Sequence, residues 1–266
     1  ASTRTAALLS GEVDWIEAPS PDAIDRLKSA SMQIVTNVYP HNWSYQLNFV
    51  KGPFTDKRVR QAANYALNRT EMKELLNGLM LEEYATVPPS TPYYGHPVVY
   101  NYDPDKAKAL LKEANCVPCK MTFAISTSGS GQMQPLPMNE LVKSQMDAVG
   151  FDVTLDSMDW NALLKLTREG VDEHPDVNAI NVSRQTQDPF NALIRHVWTS
   201  AWAPKGSNWG HFSNPEIDKT IAEMNEEAVL IFVAHDVNPR ALSPKVHGFV
   251  QAQSWFQDLT PVSVTP

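Results

Sequence analysis

A chain of 266 residues, 42% apolar and 20% charged, is long enough for one large domain or two moderate ones, each with its own core. Its 30 Asp and Glu outnumber 22 Lys and Arg, for a net charge of −8. No basic run exceeds the stretch from Asp56 to Arg60, which argues against nucleic acid as a partner. No apolar run approaches the ~18 residues of a spanning helix, so a soluble chain is expected.

Residues 1–10 read as a helix with Gly11 at its left-handed end, so the sequence is not expected to begin at a natural start. The run Tyr45 to Val50 is strand-like. Asp56 to Asn77 reads as one helix, with Val59, Ala62, Ala63, Ala66 and Leu67 on one face. Asp103-Pro104 supplies an N-cap and a first-turn proline to the next helix. From residue 121 onward strands and helices alternate: strands at 121–126, 151–156 and 177–182, helices at 139–149 and 161–169, and a helix opened by Asp188-Pro189. That alternation predicts an α/β layer with parallel neighbours and crossover helices. Asn214-Pro215 opens another helix, with Ile217, Ile221 and Met224 inward. It runs without a turn residue into the β-rich stretch 229–235, where punctuation is expected. A chain that leaves one lobe near residue 50 and returns near 230 crosses a hinge twice. The expected lobes are residues 1–50 with 232–266, and 51–231.

The two cysteines, Cys116 and Cys119, follow a helix and precede a strand. A zinc site needs two more ligands at matching spacing, so a local disulfide or two idle thiols is the reading, and no metal or cofactor is expected. Templates for catalysis fail in turn: the sequence carries no Gly-x-Ser-x-Gly elbow, no Walker loop and no His-Glu-x-x-His. The seven histidines are scattered, and the chain is read as a binding protein and not an enzyme.

Ligands of open α/β sheets bind beyond the carboxyl ends of the strands. Here those ends are Ser126 to Gln132 and Ser183 to Asp188. Arg184 is the fixed charge that could grip a carboxylate with two parallel bonds, with Gln185 beside it as a second polar anchor. Tyr45 and Asn48 stand near the crossover, and Trp202 lies in a loop where a flat aromatic can wall a cleft. Trp209 is a lesser candidate for that wall. Trp198 is assigned to core packing, and Asp188 and Asn214 to helix caps.

Four stretches in order carry a resemblance: Arg4 to Ile16 (RTAALLSGEVDWI), Pro53 to Arg69 (PFTDKRVRQAANYALNR), Tyr102 to Leu111 (YDPDKAKALL) and Asn208 to Asp218 (NWGHFSNPEID). Together they resemble the extracellular solute-binding proteins of family 5, of dipeptide-, oligopeptide- and nickel-binding type. The resemblance implies a bilobal α/β fold of periplasmic-binding-protein type, incomplete here at the amino terminus. It also implies further helix near Ala228 that this sequence lacks. The implied protein is a monomeric receptor, periplasmic or lipid-anchored and extracellular. It would capture a small, peptide-like solute and deliver it to an ABC permease in the membrane. A ligand sensor feeding a regulator is the alternative use of the fold. Dipeptide-binding members hold the peptide amino group with an Asp, where Gln185 stands here. They hold its carboxylate with an Arg in the earlier loop, which Ser128 to Gln132 does not supply.

Overall fold

The computed structural model describes residues 2–36, 41–87, 89, 94–129, 131–185, 195–216, 230–236, 240–250 and 259–265, with the backbone alone at 185, 230–232 and 234–236. Of the helix expected from Asp188-Pro189 only the end is described, as the helical turn Arg195–Val197; its start, the body of the helix expected from Pro215 and the junction at Ala228 lie outside these residues.

The helices are set by caps that the local sequence provides. Helix α1 is Ser2–Ser10 and α2 is Ile24–Ser29. Asp56 accepts from the Arg58 amide to open α3 (Lys57–Tyr65). The single helix expected across 56–77 is broken: Asn68 accepts from the amides of Thr70 and Glu71 and starts a second helix, α4 (Arg69–Leu75). The Asn68 side-chain amide also donates to Glu71 Oε1 at 2.9 Å, while its backbone N–H donates to Gln145 Oε1 at 3.1 Å, so the break is an Asn cap held on both sides. Asp103 caps α5 (Pro104–Glu113), Pro135 occupies the first turn of α6 (Pro135–Asp147), and Asp159 caps α7 (Trp160–Glu169). Cys116 and Cys119 form a disulfide.

Strands β1 (Trp15–Glu17) and β2 (Gln33–Val35) flank β9 (Arg240–Leu242) in a small antiparallel sheet. Between them in sequence lies the main sheet, built from β3 (His41–Leu47), β4 (Met80–Glu82), β5 (Cys119–Ser126), β6 (Phe151–Met158), β7 (Ala179–Gln185) and β8 (Leu230–Asp236). Its order is β4-β8-β3-β7-β5-β6. A short hairpin, β10 (Val246–His247) with β11 (Ser263–Val264), completes the described strands. As the alternation predicts, β5 runs parallel to both β6 and β7. Strand β3 pairs antiparallel with β7 and β8, and β4 with β8.

The pairing fixes where the chain passes from one sheet to the other. Strands β3 and β8 belong to the main sheet, so the chain changes sheet between β2 and β3 and again between β8 and β9, not at 50 and 231. An apolar run shows that a strand exists but not which partner it chooses, and both of these partners are remote in sequence.

The main sheet is buried on both faces. Trp43, Tyr45, Phe54, Phe123, Ile125 and Met138 share one core under α3, α5 and α6. Ala124, Leu163, Leu166, Ile180 and Trp209 share another under α7. The small sheet has its own core, where Leu8, Ile16, Leu27 and Ala241 meet. Two packed bodies therefore stand in contact, each with separate apolar burial.

Candidate functional site

A cleft of about 770 Å³ opens between the two bodies. One wall is the small-sheet segment: Arg4, Trp15 and Glu17, with the turn after them. The other is the carboxyl end of β5 and the start of α6, contributing Thr127, Ser128, Gly129, Gly131 and Gln134. The volume lies within the range of small-molecule sites.

Each wall is fixed by local hydrogen bonding. Arg4 donates to the carbonyls of Glu17 and Ala18 at 3.1 and 3.3 Å, which ties α1 to the end of β1. Ile16 points into the small core, so alternation turns its neighbours Trp15 and Glu17 outward to the cleft. On the opposite wall, Gly131 has φ +70°, and a Cβ there would lie 2.6 Å from Ser183 Oγ and 3.2 Å from His41 Nδ1. Gly129, at φ +140°, packs so closely on Trp160 that a Cβ would meet the indole at 2.5 Å. Both glycines let the loop lie flat on the sheet end. Of the loop expected to bind, Thr127, Ser128, Gly129 and Gly131 supply cleft surface, whereas Ser126 and Gln132 are fully buried. Gln132 accepts from the Trp43 indole at 3.2 Å and is part of the core.

Beneath this loop His41 is buried, and burial lowers its pKa to about 4, so the ring is neutral at ordinary pH. Its Nδ1 lies 3.4 Å from Ser183 Oγ.

The expected site residues separate into several places. Tyr45 lies in the core: it has no exposed surface, its hydroxyl donates to Asn139 Oδ1, and burial raises its pKa well above the ordinary value. Asn48 is likewise structural, donating to the Val177 carbonyl at 3.0 Å and accepting from the amides of Val50 and Lys51. Trp202 lines neither described cavity. Its indole donates to the Phe212 carbonyl at 2.8 Å, and its ring stacks on His211 at 4.8 Å. Trp209 is fully buried in the core under α7, while Trp198, assigned to packing, is 46% exposed. Gln185 ends β7 opposite His41 in the ladder.

Arg184 points elsewhere. Residues on β7 alternate, so Asn181 and Ser183 face α6 while Val182 and Arg184 face α7. Arg184 lines a second, smaller cavity of about 210 Å³ with Gln46, Thr167, Arg168, His196 and Ser207. None of these residues lines the larger cleft.

Arg4, Trp15 and Glu17 escaped the sequence reading. The three-residue β1 is too short for periodicity to register, although the apolar Ile16 between two larger polar-tipped side chains is the alternation that marks a wall.

Two bodies meeting around a cleft at the carboxyl end of a parallel strand define a two-body α/β architecture. The chain belongs to the bacterial extracellular solute-binding proteins, family 5: that family's middle region matches residues 1–219. It is 26% identical to the dipeptide-binding protein of Escherichia coli, over 94% of this chain and 51% of that protein. It is 28% identical to heme-binding protein A of Haemophilus influenzae, over 99% of this chain and 52% of that one. The chain thus spans about half the length of the curated relatives it matches.

Solved structures agree on the fold. The ABC transporter substrate-binding protein CtaP of Listeria monocytogenes superposes with a TM-score of 0.83 at 21% identity, covering 100% of this chain and 58% of its own. The dipeptide-binding protein of Pseudoalteromonas sp. SM9913, in complex with Met-Leu, gives 0.79 at 20% identity, covering 99% and 56%. The fold is therefore the α/β periplasmic-binding-protein type. Among the described residues no helix is long and apolar enough to cross a membrane.

Proposed function

We infer that this protein is the solute-capturing component of an ABC importer, acting outside the cytoplasmic membrane and closing on a small, peptide-like solute without chemical turnover. The carrying observation is the 770 Å³ cleft, walled on one side by β1 and on the other by the loop after β5. A ligand that touches both walls favours the closed state over the open one, and that difference is what a permease reads. The loop supplies small polar side chains and backbone groups, and the opposite wall supplies an indole, a guanidinium and a carboxylate. Such a set suits a zwitterionic or amide-bearing solute. The names of the relatives support the class: dipeptide-, heme- and glutathione-binding proteins are among them. The neutral Gln185 points to a solute that differs from a plain dipeptide at its amino end.

Native mass spectrometry of the full-length protein, purified without denaturant, tests this reading. A retained small molecule that leaves on unfolding supports it and gives the ligand class. An empty protein that also shows no thermal shift with peptides, modified peptides, sugars or metal chelates overturns it.

A further inference from the structure

Arg184 presents an unusual electrostatic situation. Its side chain is 7% exposed, and its Nη1 has no hydrogen-bond partner. Burying a guanidinium is unfavourable unless a carboxylate or a set of acceptors compensates it. Here the surroundings are of the same sign. Arg168 lines the same cavity from α7, and Arg195 lies close enough to repel the buried charge. His196 also faces it. Among the described residues lining the cavity there is no carboxylate.

Two further groups of the lining can donate to an oxygen: the Gln46 amide, and the Ser207 hydroxyl, which accepts from Arg195 at 3.3 Å and keeps its own proton. The Thr167 hydroxyl is taken by the Leu164 carbonyl, and Val182 is apolar. A cavity of about 210 Å³ holds several times the ~30 Å³ share of a water molecule, and so admits an anion of a few heavy atoms. The planar fork of an arginine matches two carboxylate oxygens at once, and a bound anion turns the mutual repulsion of the cations into shared attraction.

We propose that the cavity around Arg184, Arg168 and His196 is an anion subsite that takes a small carboxylate group, separate from the cleft between the two sheets. Burial, reinforced by Arg195, also holds the Arg184 pKa well below the ordinary guanidinium value. Burial and then Arg184 do the same to the His196 imidazole. An anion seated between them relieves both. The carboxylate could belong to a free organic acid or to one end of the transported solute, and this second source rests on the uptake reading given above.

The test uses the full-length protein with sodium malonate as probe, against sodium chloride at matched ionic strength, read by thermal shift and titration calorimetry. Wild type should gain melting temperature with millimolar malonate. Arg184→Gln should lose at least tenfold in malonate affinity while melting at or above wild type in chloride, because an uncompensated buried charge has been removed. Should Arg184→Gln fail to fold, Arg168→Gln at the exposed mouth must weaken malonate binding instead. An equal malonate response in wild type and in these variants, or none in folded wild type up to about 100 mM, overturns the proposal. Competition between malonate and the solute retained in native mass spectrometry assigns the subsite to the solute's acid, and independence assigns it to a free anion. Because solute retention is read separately, a missing malonate effect leaves the cleft reading standing.

Discussion

Arg240 and Glu17 sit opposite each other across the β1–β9 pair and form an ion pair at 3.1 Å. The arginine side chain is completely buried, whereas the carboxylate is 41% exposed and forms part of the cleft wall. A core charge is thus held from the surface where a ligand would rest. Removing one partner of a buried cation weakens the compensation of a charge that water does not reach. With the carboxylate half in solvent, Glu17→Gln is expected to cost about 1–2 kcal/mol. Urea unfolding would measure it, and an unchanged midpoint would show the pair to be idle.

Tyr45→Phe separates a packing role from a binding one. The substitution strands Asn139, whose amide also donates to the Pro135 carbonyl at 2.7 Å and to Asn181 Oδ1 at 3.2 Å. A buried acceptor left without its donor costs about 1–3 kcal/mol. Stability should fall by that amount with the solute affinity unchanged; a selective loss of affinity would restore Tyr45 to the site.

Acid should weaken the fold through His41. Its folded pKa, about 4, is below the ordinary 6.5, so between those values the unfolded chain binds a proton that the folded one refuses. Stability is constant above pH 6.5 and declines as pH falls towards 4, by on the order of 3 kcal/mol for this group. His196 is shifted in the same direction. His41→Gln should flatten, without abolishing, the slope of melting temperature between pH 6.5 and 4.5. An identical slope in the variant would show that His41 is not its source.

Gly131→Ala and Gly95→Ala form a matched pair. Both positions have positive φ, +70° and +63°, but a Cβ at Gly95 meets nothing within 4 Å. Alanine at Gly95 bears only the backbone penalty of about 1–2 kcal/mol. At Gly131 it must also displace Ser183 or lift the loop. The expectation is a larger loss of stability together with weaker solute binding, measured by calorimetry. Equal effects at the two sites would mean that the loop's seat on β7 is unimportant.

Much of the main sheet could be read from local chemistry. Asp103 and Asp159 cap helices through bonds their own neighbours supply, and β5, β6 and β7 run parallel because a helix follows each of the first two. The break at Asn68 was equally available in an Asn followed by Glu three residues on, but the apolar face running through Ala66 and Leu67 obscured it. Antiparallel partners were not legible. Tyr45 and Asn48 looked available because they lie among polar residues, yet both are buried and their polar groups bond within the fold, to Asn139 for Tyr45 and to Val177, Val50 and Lys51 for Asn48. The cleft wall from β1 and the inward turn of Arg184 depend on which body each strand joins, and that is a property of the whole chain.

The order β4-β8-β3 carries a kinetic implication. Strand β8 slots between two strands made far earlier in the chain, pairing Tyr45 with Ile231 and Leu81 with His235. During synthesis the interior edges of β3 and β4 stay open until residue 236 has emerged. Closing so long a loop is entropically slow, and contact-distant sheets fold late. The strand that locks this sheet is thus made well after both of its neighbours, so neither β3 nor β4 can complete its pairing as it is synthesised.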